Sequence, residues 1–164
     1  MDERLDATLT QAVQLREAGT RQACEQLLSL SDRYPQEAAI AYQAAWAHDV
    51  LGLEAEAVPF YERALSGSGL SAEDRHGAFL GLGSTYRVLG RYDLSLATLR
   101  RGLEEHPRDA ALQTFLAMAL YNVGESREAV RTLLKVMAAT SADPQVQGYR
   151  RAIEHYADHL DETQ

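Results

Sequence analysis

The chain has 164 residues, 46% of them hydrophobic, which is long enough for one domain with a real core. Its 16 Lys and Arg against 24 Asp and Glu give a net charge of −8. That balance argues against nucleic acid or an anionic membrane as a main partner, since both need a basic field, although a local basic patch remains compatible with it.

Cys24 is the only cysteine, so no internal disulfide framework exists; a small, buried, apolar role in a reducing cytoplasm is expected for it. The start, Met1-Asp2-Glu3-Arg4, is acidic and lacks an apolar run, so no signal peptide is predicted. No stretch reaches the roughly 20 apolar residues that span a bilayer. The expectation is a soluble cytoplasmic protein. Leu and Ala dominate the apolar residues, with few Val and Ile, which favours helix over strand.

Taken in order, the chain reads as four helix pairs and a closing helix. Residues 5–36 form the least regular pair, marked by Ala12, Leu15, a turn at Gly19, Ala23, Leu27 and Pro35. Residues 38–71 follow with Ala45, Gly52, Ala57, Tyr61 and Ala64, and Gly69 stands where the first pair has its proline. Pro59 falls inside the predicted second helix of this pair, where a missing N–H and a ring clash are costly. That helix should start late or bend, and Pro59 should face outward. Ser66–Leu70 is the most flexible composition in the chain and reads as a lengthened inter-repeat loop rather than a domain boundary. Ser71-Ala72-Glu73-Asp74 then reads as a capping box, so the next helix should begin one turn early.

Residues 72–109 carry the cleanest pattern: Phe79, Leu82-Gly83, Tyr86, Gly90, Tyr92, Ser95, Leu99, Gly102 and Pro107. Residues 110–142 repeat it with Leu116-Ala117, Gly124, Ala129 and Leu133, and lack the proline. Small residues recur at Ala23, Ala57, Ser95 and Ala129, spaced 34, 38 and 34 apart. The turn glycines Gly19, Gly52, Gly90 and Gly124 lie five residues before them, or four in the first pair, whose turn is one residue short. Asp143-Pro144 supplies an N-cap and a proline at the first helical position, opening a capping helix over about 144–160. On it Tyr149, Ala152, Ile153, Tyr156 and Leu160 share one face, with Arg150, Arg151, Glu154 and Asp158 opposite.

A 34-residue helix–turn–helix unit with Leu-Gly, Tyr, Gly-x-Tyr, a small residue and Pro resembles the tetratricopeptide repeat, here over roughly residues 5–142. With its Tyr-Arg-Arg-Ala-Ile-x-x-Tyr-Ala closing segment, the whole is similar to a group of small bacterial tetratricopeptide-repeat proteins of unassigned function. The resemblance implies an all-α fold, a right-handed α-α superhelix or solenoid of four helix pairs plus the capping helix, each pair burying a face that only its neighbour can cover. It also implies a concave groove lined by the first helix of each pair, where peptide or protein segments bind. Carried over position by position, the groove residues are Leu9, Val13 and Arg16; Tyr42, Trp46 and Asp49; Leu80, Ser84 and Arg87; and Thr114, Met118, Tyr121 and Asn122. The single tryptophan is among them, and a wide aromatic on a concave surface is a common anchor. Arg16 and Arg87 have the chemistry to hold a ligand carboxylate. The Lys and Asn set of the family's chaperone-tail clamp is absent, its places being held by Leu9, Val13, Tyr42, Trp46, Leu80 and Ser84.

No catalytic site, cofactor or metal is expected. His155 and His159 stand at i, i+4, a spacing that can place two imidazoles on one metal, yet the sequence predicts no third ligand and a solvated helix face is the plainer reading. His48, His76 and His106 are scattered, Ser66–Gly69 is no phosphate loop, and no Ser or Cys has a predictable base. The leading expectation is a non-enzymatic scaffold for a protein partner. A homodimer formed through the groove or the first pair is the alternative.

Overall fold

A computed structural model describes residues 3–163, and all regular structure among them is helical. The helices are α1 (Glu3–Ala18), α2 (Arg21–Arg33), α3 (Ala38–Val50), α4 (Glu54–Ser66), α5 (Ala72–Val88), α6 (Tyr92–Glu105), α7 (Ala110–Asn122), α8 (Ser126–Thr140), α9 (Pro144–Gly148) and α10 (Arg150–Asp158). They group into two compact units, Met1–Arg91 and Tyr92–Gln164.

Local chemistry sets the punctuation. Gly19, Gly52, Gly90 and Gly124 all adopt positive φ, between 60° and 87°, which costs other L residues a Cβ clash. In three of these turns the residue after the glycine donates back to the helix it leaves: Leu53 N–H to His48, Arg91 N–H to Tyr86 and Glu125 N–H to Leu120, at 2.8–3.0 Å. This closure satisfies helix-end carbonyls that would otherwise lack a donor. The first turn is shorter by one residue, as its spacing predicts, with Gly19 bonding to Arg16 at 3.1 Å and Thr20 serving at once as N-cap of α2. Pro35 and Pro107 each occupy the second place of a four-residue turn, closed by Glu37 N–H to Tyr34 at 3.1 Å and Asp109 N–H to His106 at 3.0 Å. Proline's fixed φ suits that position.

Ser71 caps α5 as expected: Asp74 N–H donates to Ser71 Oγ at 3.0 Å, and α5 runs 17 residues where α3 and α7 run 13. Of the two ways expected to accommodate Pro59, a late start is excluded, since α4 begins at Glu54 and runs through it. Pro59 is exposed, as expected, and the carbonyl it leaves without an intrahelical donor belongs to Ala55, also exposed, so water can serve it.

In the first unit α1 packs on α2 and α3, α3 on α2, α4 and α5, and α4 on α5. Consecutive helix pairs therefore stack with α1, α3 and α5 side by side. Ala12, Cys24, Leu27, Leu30, Ile40, Ala44 and Ala47 form the core between the first pairs. Cys24 is buried against His48, 3.6 Å from Sγ to Nε2, while His48 Nδ1 bonds the Ala44 carbonyl at 2.6 Å and its ring stacks on Phe60. Burial, helped by Glu25, pushes the Cys24 thiol up, so it is a packing residue with little thiolate character. Glu62 of α4 accepts the Tyr86 hydroxyl of α5, and Ser31 of α2 accepts Arg63 of α4.

In the second unit α7 packs on α6 and α8, and α10 on α8. The landmark small residues Ala23, Ala57, Ser95 and Ala129 are all buried, as are Gly83 and Ala117. The closing segment differs from expectation. It is two helices, parted at Tyr149, and the buried face is not the one the tyrosines mark. Tyr149 is 69% and Tyr156 54% exposed, and Ala152 is exposed too, whereas Ala157 is 1% exposed and Ile153 and Leu160 are half-buried. The stripe facing α8 is thus Ile153, Ala157 and Leu160, at i, i+4 and i+7. The small Ala157 lets the backbones approach, and Asp158 at its edge forms ion pairs with Arg131 at 2.6 Å and Lys135 at 2.8 Å of α8. Gln147 of α9 caps the end of α8, donating to the Ser141 carbonyl at 2.6 Å.

Candidate functional site

The first helices of the first three pairs present three rows of side chains at four- and three-residue intervals: Leu9, Tyr42 and Leu80; Val13, Trp46 and Ser84; Arg16, Asp49 and Arg87. Because α1, α3 and α5 lie next to one another, all nine fall within one unit. Their exposures differ, and those differences separate surface from support.

Trp46 is the residue left open, at 39% exposure. The Arg16 guanidinium lies over its ring at 4.1 Å from the centroid, a cation–π contact that holds the indole from one side. From below, Tyr42 meets it tilted, with centroids 5.8 Å apart. Tyr42 is only 5% exposed, so it is the floor under Trp46 and not a surface that a partner would touch. Burial first, and then the acidic Asp74, push its hydroxyl up to about 12, so it stays a neutral phenol. Tyr61 of α4 continues the stack inward, 6.3 Å from Tyr42.

Asp49 is likewise turned to internal use. Its carboxylate accepts the Tyr61 hydroxyl at 2.7 Å and the Thr85 hydroxyl at 3.0 and 3.1 Å, joining α3, α4 and α5. Burial pushes the Asp49 carboxyl above the usual range, while the Tyr61 and Thr85 hydrogen bonds pull it back down. Tyr61 itself is driven far upward by burial and by the adjacent Asp49 charge.

Two glycines that the repeat pattern does not mark make this stack possible. A Cβ on Gly81 of α5 would sit 2.5 Å from Tyr61 Cζ, and one on Gly77 would sit 3.0 Å from Tyr42 Cζ and closer still to its hydroxyl. The tyrosines of α3 and α4 therefore lie directly on the backbone of α5. The only sequence signal is the spacing of Gly77 and Gly81, one helical turn apart inside a helix.

Ser84 and Arg87 are half-buried on α5, and Arg87 Nε is buried without a hydrogen-bond partner. Arg16 forms an ion pair with its exposed neighbour Glu17 at 3.2 Å. Val50 and Val88, one turn beyond Trp46 and Ser84, are exposed and extend the apolar face. The same four-residue spacing makes them readable in the sequence, although the groove positions stop short of them. In the second unit, Met118, Tyr121 and Asn122 are exposed on α7, while Thr114 is half-buried and bonds the Ala110 carbonyl at 2.7 Å. Beyond α10 the structure brings Glu162 beside His155 and His159, a carboxylate neighbour that the sequence did not predict.

The family model of the tetratrico peptide repeat matches residues 38–160, about three quarters of the chain. The chain belongs to the tetratricopeptide-repeat family. The match begins at α3, so the least regular pair, α1 and α2, lies outside it. No curated protein matches the chain. Tetratricopeptide repeats generally mediate protein–protein interaction and are generally non-enzymatic. No described helix of this tetratricopeptide-repeat chain is long and apolar enough to cross a membrane.

Proposed function

We propose that this chain is a non-enzymatic scaffold that holds an extended or helical segment of a protein partner on the face formed by α1, α3 and α5. The observation that carries the proposal is Trp46: a large aromatic left partly open, fixed from the side by Arg16 and from below by a buried tyrosine. A side chain already ordered by its neighbours loses little further entropy on binding, so the cost of ordering falls mainly on the segment that docks. The exposed Val50 and Val88 extend the apolar contact. The half-buried Arg87 and Arg16 guanidinium groups supply donors for a carboxylate on the partner.

The test is affinity capture with the wild-type protein and a Trp46→Ala/Arg87→Ala variant in parallel, with mass spectrometry of what each retains. The reading expects a partner held by the wild type and lost by the variant at equal folded fraction. Equal retention contradicts it. Light scattering across a dilution series separates a foreign partner from a second copy of the chain: self-association through this face predicts a mass that falls on dilution and falls further in the variant.

A further inference from the structure

The end of the chain carries a side-chain cluster that the peptide-binding face does not use. His155 lies on α10, His159 is the residue that ends it, and Glu162 follows in the turn beyond. That turn bends back: Glu162 N–H bonds the His159 carbonyl at 3.0 Å, and the next-door Asp161 is tied to Arg127 of α8. As a result one donor atom from each of the three residues lies within 4.8 Å of the other two, with His155 Nε2 and Glu162 Oε2 at 2.9 Å. The two imidazoles are stacked, with centroids 4.4 Å apart and planes 21° from parallel.

We propose that His155, His159 and Glu162 form a binding site for one Zn²⁺ ion. Two features beyond the spacing support it. First, His159 Nδ1 is within 2.8 Å of the His155 carbonyl, and donating that proton leaves Nε2 with its lone pair free and the ring oriented, as the outer hydrogen bond of a metal-bound histidine does. Second, the site sits at the C-terminal end of α10, where helix carbonyls direct partial negative charge outward and favour a cation. The α8 cations that pair with this end of the chain are already engaged, Arg131 and Lys135 by Asp158 and Arg127 by Asp161.

Tetrahedral zinc with bonds of about 2.0–2.1 Å needs its donors about 3.3 Å apart. The 2.9 Å His155–Glu162 contact opens slightly, the other donor pairs lie within 4.8 Å, and because all three side chains are exposed the adjustments are rotations over open surface. Two imidazoles and one carboxylate suit Zn²⁺ and not Mg²⁺ or Ca²⁺, which prefer oxygen alone. Water fills the fourth position. The bound ion fastens residues 159–162 to α10, and so adds a closure to the end of the repeat array.

The experiment is calorimetric titration of untagged protein with Zn²⁺ alone, for wild type, His159→Ala, Glu162→Gln and the control His106→Ala. One ion per chain is expected in the wild type and the control. Removal of a ligand should weaken binding about tenfold or more, at least as much as loss of an outer-shell partner. Imidazole nitrogen signals of His155 and His159 should shift on titration while those of buried His48 stay in place. Absence of binding to the wild type at 0.1 mM Zn²⁺ (roughly the weak end of useful affinity), unchanged affinity in either ligand variant, or half an ion per chain with dimer formation would overturn the site. Circular dichroism of each variant establishes that it is folded.

Discussion

Asp49 and Trp46 share one face of α3 at nearly one turn's separation, and the structure gives them opposite duties. Asp49 accepts hydrogen bonds from two buried hydroxyls, so Asp49→Ala leaves the Tyr61 hydroxyl without its acceptor. Leaving a buried polar group unsatisfied costs about 1–3 kcal/mol, and denaturant unfolding should show a loss in that range. A loss below the error of the measurement would mean water replaces the carboxylate there. Gly81→Ala tests the packing beneath the same network. Helix propensity alone would make the alanine better by about 1 kcal/mol, but the new Cβ lands within 2.5–2.8 Å of the Tyr61 ring, which Asp49 holds in place. Overpacking of about 1–3 kcal/mol should win, giving net destabilisation. Gly77→Ala should be milder, because beyond the hydroxyl its Cβ meets the Tyr42 ring only at 3.0 and 3.6 Å. The opposite ranking in thermal melts would show that Tyr61 and not Tyr42 has room to move.

At the scale of elements, the turn glycines, the prolines and the N-caps Ser71 and Asp143 were legible because each follows a local rule that few residue types satisfy, whereas the caps Thr20 and Asp109 were not singled out. The early start of α5 followed from Ser71 and the short first turn from the four-residue interval between Gly19 and Ala23. The closing segment was legible only in part. Its apolar residues permit two stripes, and the tyrosines weighed most in the sequence pattern. Which stripe turns inward is decided by how closely α8 must approach, and Ala157 allows a nearer approach than Tyr156. The ion pairs beside Ala157 give a pH test. Lys135 and Arg131 hold Asp158 down at about 2, below the ordinary carboxylate value. A depressed folded pKa means that this contribution is complete above about pH 4 and is lost as pH falls toward 2. Protection factors of the α10 amides, which correct for the intrinsic pH dependence of exchange, should therefore fall over that interval in the wild type. Asp158→Asn should exchange faster at neutral pH and lose that part of the pH dependence; equal profiles would show that the pairs do not hold the helix.

Across the whole molecule, the repeat period identified the fold class, since a turn glycine followed at a fixed interval by a small residue recurs in four helix pairs over roughly residues 5–142, with a terminating proline in two of them. The candidate site was less legible. Register alone placed Tyr42, Trp46 and Asp49 together on one face, but it could not say which side chains are consumed by packing. That depends on Gly77 and Gly81, which belong to no repeat landmark and admit two tyrosines from neighbouring helices. The consequence is a face on which Trp46 stands open over a buried aromatic stack. Its function is tested most directly by measuring binding and stability together in Trp46→Ala, using a peptide selected by display against the wild-type protein. Loss of a partly exposed ring with one cation–π and one aromatic contact should cost about 1–2 kcal/mol of stability. Peptide affinity at matched folded fraction should fall about thirtyfold or more, the scale of an interface hot spot. Undiminished affinity in the folded variant would contradict the account.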